Sequence, residues 1–324
     1  MSIFQFLKWE FWPFWLFYLP LLPYYLWLAF RARSWVFFAA ANPLMVLGGM
    51  VNYSKYRVLE QIDPALRPMM ELRRPPFASR QKPMMGFPLV AKPDKGERGR
   101  GVSFVHSQAE LDDYLRAATG DVILQAAVEW PLEFGLMYYR LPSAKNGEVT
   151  SLMQRDFLSV VGDGKRTVSA LLQASERNRR YAAAIAERYP QSAQRVPEMG
   201  EVVLVEPIGN HCRGTTFRDA CHLITPQLTQ VFDRISLPIE GYFFGRYDLK
   251  AQSLEDLYAG RVQILELNGA NSEPAHIYDP QNSLWRAYRD LYAHWKNLFL
   301  VSRANHQNGV PYPSLSQVWQ QWHG

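Results

Sequence analysis

Two short segments near the end of the chain carry polar side chains within otherwise apolar, strand-like sequence. Because side chains alternate along a strand, Arg246 and Asp248 share one face of the first segment. For the same reason, Glu266 and Asn268 share one face of the second. Hard cations such as Mg²⁺ prefer carboxylate and amide oxygens as ligands, and polar groups inside an apolar run are costly unless they are paired. The pattern predicts a magnesium site at Asp248, Glu266 and Asn268, with a guanidinium beside it.

A glycine-rich loop lies between two predicted strands in the middle of the chain. The strand 87–92 leads into the loop 93–101, and a second strand follows at 102–105. The amides of such a hairpin loop can surround phosphate groups, although a plain turn gives the same pattern. No Gly-Lys-Ser/Thr follows and no helix is predicted to start there, so this is not a Walker loop.

From about residue 52 onwards, the sequence predicts alternating strands and helices, and these elements must position the residues described above. Ser107 and Glu110 predict a capping box at the start of a helix that runs to Ala117. Thr167 is predicted to cap a second helix through about Ala174. Further strands are predicted at 122–125, 134–140, 156–161, 246–250 and 260–269. This mixture predicts an α+β fold.

Composition narrows the class of protein. The 324 residues correspond to about two domain-sized units. With 48% hydrophobic residues and a net charge of +5, disorder, collagen and a small disulfide scaffold are excluded. No basic stripe interleaves with aromatic residues, so we expect no nucleic-acid partner. The two cysteines, Cys212 and Cys221, have no paired zinc-ligand spacing and favour a reducing compartment.

The front of the chain is aromatic and uncharged. Residues 11–30 form a run of 20 without a charge, which is long enough to cross a bilayer. Three prolines interrupt the run, and its tryptophans and tyrosines favour the headgroup region. A membrane-surface or re-entrant anchor, a spanning helix and a buried protein–protein surface all remain open. Arg31 and Arg33 suit the cytoplasmic face, where we expect a peripheral or monotopic association.

Taken together, these motifs resemble the ATP-grasp superfamily of carboxylate–amine ligases. The resemblance covers about Lys55 to Asn282 and is nearest to the D-alanine–D-alanine ligase branch. Through the turn 162–165, it extends to the cyanophycin-synthetase-like members. It implies an ATP-grasp fold of two α+β subdomains that clasp ATP, over residues 52–282 with a nucleotide-lid subdomain at about 85–140. An apolar helical membrane-associating segment, 1–51, would precede it, and a C-terminal amphipathic helix and tail, 283–324, would follow.

The resemblance also implies roles for individual residues. Lys55 and Lys92 would contact the nucleotide phosphates, Lys92 and Arg246 would act in catalysis, and two Mg²⁺ ions (or Mn²⁺) would bind at the predicted metal site. The remaining nucleotide-binding residues would be Gly96, Gly99 and Gly101 in the loop, Gln125 for the base, and Glu133 for the ribose with Glu129 as an alternative.

Departures from the family limit what can be said of the substrate. Only 54 residues precede Lys55, too few for the usual first α/β domain, and the family's Pro-Gly does not follow Gly269. D-Alanine specificity is therefore not expected. Asn210, Arg213 and His276 are candidate substrate contacts.

The predicted function is ATP-dependent ligation of a carboxylate to an amine through an acyl phosphate, with a lipid-linked or membrane-derived substrate. A soluble-substrate amino-acid or peptide ligase docked to a membrane partner remains open, as does a nucleotide-binding scaffold without turnover. The substrate pair and the oligomeric state are not predicted.

A last helix is predicted from aromatic residues spaced three and four apart, starting at Trp285 and ending at Phe299. This stripe either packs on the body of the protein, including the N-terminal segment, or forms a second membrane-facing surface.

Overall fold

A computed structural model describes residues 9, 12–77, 81–96, 99–207, 209 and 213–323. Asn210, Cys212 and two residues of the glycine-rich loop lie outside this set. The chain divides into two compact units. Unit 1 comprises Met1–Gln154 and Asp219–Gly324, and unit 2 comprises Arg155–Arg218.

Helices and strands alternate along most of the described chain. The helices are α1 (Phe14–Tyr18), α2 (Leu22–Ala32), α3 (Lys55–Glu60), α4 (Gln108–Ala117), α5 (Val168–Ala174), α6 (Ala182–Arg188), α7 (Pro190–Gln194), α8 (Pro226–Ser236), α9 (Leu254–Ala259), α10 (Leu284–Gln307) and α11 (Leu315–His323). The strands are β1 (Met70–Arg73), β2 (Leu89–Pro93), β3 (Ser103–Val105), β4 (Val122–Ala126), β5 (Leu132–Tyr139), β6 (Glu148–Asp156), β7 (Ser159–Val161), β8 (Val202–Leu204), β9 (Thr216–Asp219), β10 (Phe244–Ala251) and β11 (Gln263–Asn268).

The first sheet has the strand order β1-β4-β2-β3. The predicted hairpin is confirmed, because β2 and β3 pair antiparallel on either side of the glycine-rich loop. The predicted cap of α4 is also confirmed, since Ser107 Oγ accepts a hydrogen bond from the Glu110 amide. Leu111 and Leu115 of α4 are buried with residues of this sheet. The helix therefore covers one face and leaves the other to the functional site.

The second sheet has the strand order β11-β10-β5-β6-β9. Its central pairs, β11 with β10, β10 with β5 and β5 with β6, are antiparallel. Buried side chains of β5 and β10 join those of α8 in the largest core cluster, which includes Phe134, Phe232 and Tyr247. This mixed helix and sheet architecture confirms the predicted α+β class.

Unit 2 has its own small core. A two-stranded sheet, β7 with β8, lies with α5 and α6 around buried side chains that include Val160, Leu172 and Ile185. At its first turn, Asp163 accepts hydrogen bonds from the Lys165 and Arg166 amides at 3.0 and 2.8 Å. The sequence boundaries at residues 51 and 282 do not mark this unit.

The N-terminal aromatic segment folds as short helices broken near its prolines. α1 and α2 are joined by a 3₁₀ turn at Leu19–Leu21. One face packs on α10, where Tyr288 donates to the Phe17 carbonyl at 2.9 Å and Tyr292 donates to the Pro20 carbonyl at 3.1 Å. Within the described part of the chain, no helix is both long and apolar enough to cross a membrane.

The strand predictions differ from the structure, which adds β1, β8, β9 and most of β6 to the predicted strands. The segment predicted as one strand at 156–161 divides, because β6 ends at Asp156 and β7 begins at Ser159. The first sheet also includes β1, which precedes residue 85 in the sequence, whereas β5 belongs to the second sheet. The segment 85–140 thus contributes strands to both sheets, and the nucleotide-lid subdomain stays a prediction.

A buried asparagine fixes the second uncharged segment, 34–53, to β10. Asn42 is fully buried, and its Oδ1 accepts hydrogen bonds from the amides of Phe243 and Phe244 at 2.8 and 2.9 Å. Its Nδ2 donates to the carbonyls of Gly48 and Phe244 at 2.9 and 2.8 Å. Every hydrogen-bonding position of this amide is used.

Replacement of Asn42 by alanine should therefore leave buried backbone groups without partners. We expect Asn42→Ala to lower the free energy of unfolding by about 3 kcal/mol, measured by urea denaturation. Asn308→Ala, at an exposed position after α10, is the control and should change stability by less than about 1 kcal/mol. Equal effects of the two substitutions would contradict this account of the segment.

Candidate nucleotide and metal site

The pairing of β10 with β11 brings the predicted polar residues together. Arg246 lies opposite Asn268, and Asp248 lies opposite Glu266. Arg246 donates from Nε and Nη2 to the two carboxylate oxygens of Asp248 at 2.7 and 3.1 Å. Asn268 Nδ2 is 3.5 Å from Asp248 Oδ2. These four residues, together with the lysines described next, are called the charge cluster.

Two lysines from outside this strand pair complete the charge cluster. Lys55 Nζ, at the start of α3, is 2.9 Å from Glu266 Oε1. Lys92 Nζ, in β2, donates to Gln125 Oε1 at 2.9 Å and to the Leu265 carbonyl at 3.0 Å. The structure thus places both predicted phosphate-contacting lysines at the predicted metal residues.

Burial and neighbouring charges shift the pKa values of Lys92 and Glu266. The pKa of Lys92 is lowered from its usual 10.5 to about 8, because burial, helped by the charge of Lys55, outweighs the opposing charge of Glu266. For Glu266, burial would raise the pKa, but Lys55 and Lys92 outweigh it and hold the pKa well below the usual range. The carboxylate therefore stays ionised at neutral pH.

Two residues that the sequence did not single out also shape the site. Tyr53 donates from its hydroxyl to Asn268 Oδ1 at 3.1 Å and fixes that amide. Gly135 of β5 lies opposite Asp248, and a Cβ there would lie 3.3 Å from Arg246 Cδ and 3.4 Å from Asp248 Oδ1. An isolated glycine within a strand is the signal that could have shown such a close approach.

The residues predicted to bind the base and the ribose of the nucleotide lie near the connection between the two sheets. Gln125 is buried and bonded to Lys92. Glu133 is buried, 3.7 Å from Lys250 Nζ, which also donates to the Val128 carbonyl. Glu129 is exposed. Their nucleotide-binding roles stay predictions.

The base of the glycine-rich loop is tied to α3. Asp94 Oδ1 accepts hydrogen bonds from Ser54 Oγ at 3.0 Å and from the Tyr56 amide at 2.8 Å. Gly99 and Gly101 have φ values of 68° and 72°, which glycine adopts without strain. Gly96 lies between them and Asp94. The loop thus begins next to the helix that carries Lys55.

Of the predicted substrate contacts, Asn210 lies outside the described residues, and Arg213 and His276 each have partners within their own unit. Arg213 belongs to unit 2, where its Nη1 lies 3.6 Å from the buried Glu206. His276 is buried in unit 1, with Nδ1 2.6 Å from Ser151 Oγ and Nε2 3.0 Å from Asp290 Oδ2. Because both ring nitrogens are engaged, His276 fixes the loop after β11 in this arrangement.

A second group of possible metal ligands comprises Asp219, Cys221 and His276, whose ligand atoms lie within 4.8 Å of one another. Their other contacts oppose a bound cation. Burial raises the pKa of the Cys221 thiol to about 12, and Arg286 Nη2 lies 2.6 Å from Asp219 Oδ2. The thiol is therefore neutral and would have to lose its proton to bind a metal, and both ring nitrogens of His276 already have side-chain partners.

The charge cluster, by contrast, combines hard oxygen donors with cations at one place. Asp248, Glu266 and Asn268 offer the oxygens that divalent cations prefer. Lys55, Lys92 and Arg246 offer N–H donors that suit phosphate oxygens. The arrangement can therefore bind a phosphorylated ligand together with a divalent cation.

Comparison with known proteins gives weak likenesses only. No protein-family model matches the sequence, and no curated protein matches it. Among solved structures, D-alanine–D-alanine ligase from Bacillus anthracis is 14% identical with a TM-score of 0.43, and the match covers 79% of this chain and 69% of that chain. VanG D-Ala:D-Ser ligase from Enterococcus faecalis is 11% identical with a TM-score of 0.42, over 78% of this chain and 62% of that chain.

A bifunctional glutathione synthetase from Pasteurella multocida is 15% identical with a TM-score of 0.37, over 74% of this chain. The match spans only 36% of that enzyme's length. Likenesses at these levels do not establish a family, and the activity of this chain is inferred from its own residues.

The lowered pKa of Lys92 makes stability depend on pH. Between pH 8 and 10.5 the unfolded lysine holds its proton while the folded one releases it. The free energy of unfolding of the wild type, minus that of Lys92→Met, should therefore rise with pH through this window, by up to about 1.4 kcal/mol per pH unit. Urea denaturation at several pH values measures this difference. The exposed Lys296→Met is the control, and a wild-type curve parallel to that of Lys92→Met would contradict the shift.

Proposed function

We propose that this protein is an ATP-dependent carboxylate–amine ligase of the ATP-grasp type, forming an amide and releasing ADP and phosphate. The observation that carries the proposal is the charge cluster, in which β10 and β11 present oxygen ligands to lysines from α3 and from the first sheet. The glycine-rich hairpin that follows Lys92 supports the same function, because the amides of such a loop can surround phosphate groups.

The proposed role of each cluster residue follows from its charge. Lys55 and Lys92 bind phosphate oxygens of ATP, and the glycine-rich loop covers them. The substrate carboxylate attacks the γ-phosphorus, the bond from that phosphorus to the bridging oxygen breaks, and ADP leaves. An amine nitrogen then attacks the acyl carbon, the bond from this carbon to the phosphate oxygen breaks, and phosphate and a proton are released. Arg246 stabilises the negative charge that develops on the oxygens in both steps.

The donor set fits Mg²⁺, with Mn²⁺ as an alternative, held by Asp248, Glu266 and Asn268. Bound Mg²⁺ neutralises phosphate oxygens and promotes phosphoryl transfer. Lys55 and Arg246 already lie at the carboxylates of Glu266 and Asp248. Lys55 and Lys92 keep the Glu266 carboxylate ionised and so keep it available as a metal ligand.

We further propose that the carboxylate or the amine is lipid-linked or membrane-derived, and that the protein works at the cytoplasmic face of a membrane. The support is an exposed apolar stripe on α1 and α2, spaced three or four residues apart along one side. Its members are Trp15, Leu19, Leu22, Leu26 and Phe30, with Trp27 beside them. Phe30 is 81% and Trp15 67% exposed, which is unusual for such large apolar side chains.

The charges around this stripe favour an anionic lipid surface. The sequence has no Asp or Glu between residues 11 and 59, and Arg31 and Arg33 follow directly on the stripe. Arg31 lies over the Trp27 ring at 5.1 Å. On the neighbouring helix α10, Lys296 and Arg303 are exposed as well. A surface of indoles and phenyl rings with a basic rim is typical of proteins that lie at the headgroup region.

The predicted aromatic stripe of α10 divides between two environments. Trp295 and Phe299 pack with the second sheet and α2, and the Tyr292 ring contacts that of Tyr24 at 4.9 Å. Trp285 is 86% exposed. Most of the stripe therefore packs on the N-terminal segment, as one of the two interpretations expected.

Two other functions are compatible with the same site. A ligase for soluble amino acids or peptides would use the exposed apolar stripe of α1 and α2 only to dock to a membrane partner. A nucleotide-binding scaffold without turnover would bind MgATP and release no ADP. The complete set of ligands and cations in the cluster favours turnover.

We expect purified protein with MgATP to release ADP when a membrane-lipid extract and mixed amino acids are supplied. Glu266→Gln removes a metal ligand and should lower the rate at least a hundredfold, because each 1.4 kcal/mol of lost transition-state stabilisation costs about tenfold. Glu255→Gln, exposed on α9, is the matched control and should keep the rate. Release that needs only water-soluble acids and amines would contradict the lipid-linked substrate, and release unchanged in Glu266→Gln would contradict the metal site.

The proposed membrane association predicts that the protein binds vesicles of phosphatidylcholine and phosphatidylserine and rises with them in a flotation gradient. Replacement of both Trp27 and Phe30 by serine should weaken the partition at least tenfold, because each large apolar side chain contributes about 1.5–3 kcal/mol when buried. Trp285→Ser, which removes a still more exposed indole that lies on α10 and not in the apolar stripe of α1 and α2, should have a smaller effect. Self-association of wild-type protein without vesicle binding would instead assign the stripe to a second copy of the chain.

A further inference from the structure

The second uncharged segment runs directly against the loop that follows β11, the strand that carries two of the predicted metal ligands. The carbonyl of Gly48 accepts a hydrogen bond from the Ala270 amide at 3.0 Å, and that of Gly49 accepts one from the Asn271 amide at 3.3 Å. Because these contacts join backbone to backbone, they fix the course of the chain immediately after Asn268. The segment is thus in direct contact with the candidate metal site.

No side chain fits between these two stretches of backbone. A Cβ on Gly269 would lie 2.5 Å from the Gly48 carbonyl oxygen, 2.6 Å from Met45 Sδ and 2.7 Å from Gly49 Cα. The φ of Gly269 lies outside the left-handed region, so this torsion does not call for glycine. What requires glycine here is the close approach of the segment to the residue that follows Asn268.

The backbone of the same segment is strained at this approach. Leu47 is buried and has φ 48° and ψ 38°, and Gly48 and Gly49 follow with φ 67° and 85°. The left-handed conformation is costly for leucine, and a residue other than glycine holds it only where the surrounding structure imposes it. Because strain of this kind is concentrated at functional sites, it indicates that the shape of the segment serves the site beside it.

Tyr53 ends the segment and bonds to the side chain of Asn268. It is 6% exposed, and its hydroxyl donates to Asn268 Oδ1 at 3.1 Å. The other end of the amide, Nδ2, is 3.5 Å from Asp248 Oδ2, so the two contacts favour one orientation of the amide. An amide oxygen has two lone pairs, and the one that Tyr53 does not use is left for a metal ion.

We propose that the second uncharged segment positions the metal ligand Asn268. Tyr53 holds the amide, and Gly48 and Gly49, packed on Gly269, hold the backbone that follows. Tyr53 is a positioning residue, because it acts on the metal through Asn268. This inference rests on the proposed function, and it makes the N-terminal part of the chain a component of the metal site as well as the proposed membrane contact.

Binding of Mn²⁺ in the presence of ATP, followed by electron paramagnetic resonance, tests the role of Tyr53. Loss of a residue that orients a metal ligand weakens metal binding by about 10- to 100-fold. Tyr53→Phe removes only the hydroxyl, and it should weaken Mn²⁺ binding at least about tenfold while ATP binding without metal stays within about twofold of wild type. Tyr138→Phe is the matched control, because it removes a buried phenol hydroxyl of the same core cluster, bonded at 2.8 Å to Asp233. It should leave Mn²⁺ binding unchanged.

A double-mutant cycle separates positioning from a general effect on the fold. If Tyr53 acts through Asn268, adding Tyr53→Phe to Asn268→Ala should not weaken Mn²⁺ binding further. Gly269→Ala should weaken Mn²⁺ binding at least about tenfold, since the added methyl group must displace the segment. Gly120→Ala, where a Cβ meets nothing within 4 Å, should bind as wild type does.

The outcomes separate this proposal from the proposed function. Mn²⁺ binding by Tyr53→Phe that equals wild type, or that weakens equally in the Asn268→Ala background, would overturn the role of Tyr53 and leave the metal site standing. Gly269→Ala that binds as wild type does would overturn the role of Gly48 and Gly49. Wild-type protein that adds nothing to the Mn²⁺ bound by ATP would contradict the positioning and the metal site together. Mn²⁺ binding that depends on Tyr53, in a protein that releases no ADP, would support the positioning and contradict the ligase function.

Discussion

The balance of charge between β10, β11 and the lysines around them is the constraint on which the site depends. Asp248 and Glu266 face each other across paired strands, and two carboxylates this close in a partly buried place repel each other. Arg246, Lys55 and Lys92 offset that repulsion, and Asp94 adds a carboxylate near Lys92. The cluster is thus nearly neutral without a ligand. A nucleoside triphosphate with two divalent cations is also roughly neutral, so it can enter without upsetting this balance.

The parts of the structure that the sequence predicted depend on local rules. Alternation along a strand placed Arg246 with Asp248 and Glu266 with Asn268, and the antiparallel pairing confirmed that they meet. The Ser107 cap and the hairpin around the glycine-rich loop also follow from a few neighbouring residues. The separate unit 155–218 could not be predicted, because a unit boundary depends on contacts between distant residues rather than on a local pattern.

Site residues were predictable where a charged or polar residue interrupts an apolar run. They were missed where their place in the site depends only on contact with a residue that is distant in the sequence. Tyr53 lies 215 positions from Asn268 in the sequence, and although Lys55 is close by, no local pattern predicts the contact between Tyr53 and Asn268. His276 was predicted as a substrate contact because histidine is a residue type often found in active sites. In the structure, the His276 ring is held by Ser151 and Asp290. In this loop, Arg246 contacts the backbone carbonyl of Glu273.

The central claim is that the charge cluster binds a divalent cation together with ATP. Electron paramagnetic resonance of Mn²⁺ tests it most directly, because the signal of the free ion decreases as the ion binds to protein. In the presence of ATP, wild-type protein should deplete the free-ion signal beyond what ATP alone achieves, and Glu266→Gln should show at least tenfold weaker binding. Wild-type protein that adds nothing to the effect of ATP, or a Glu266→Gln variant that binds as wild type does, would contradict the assignment of the site.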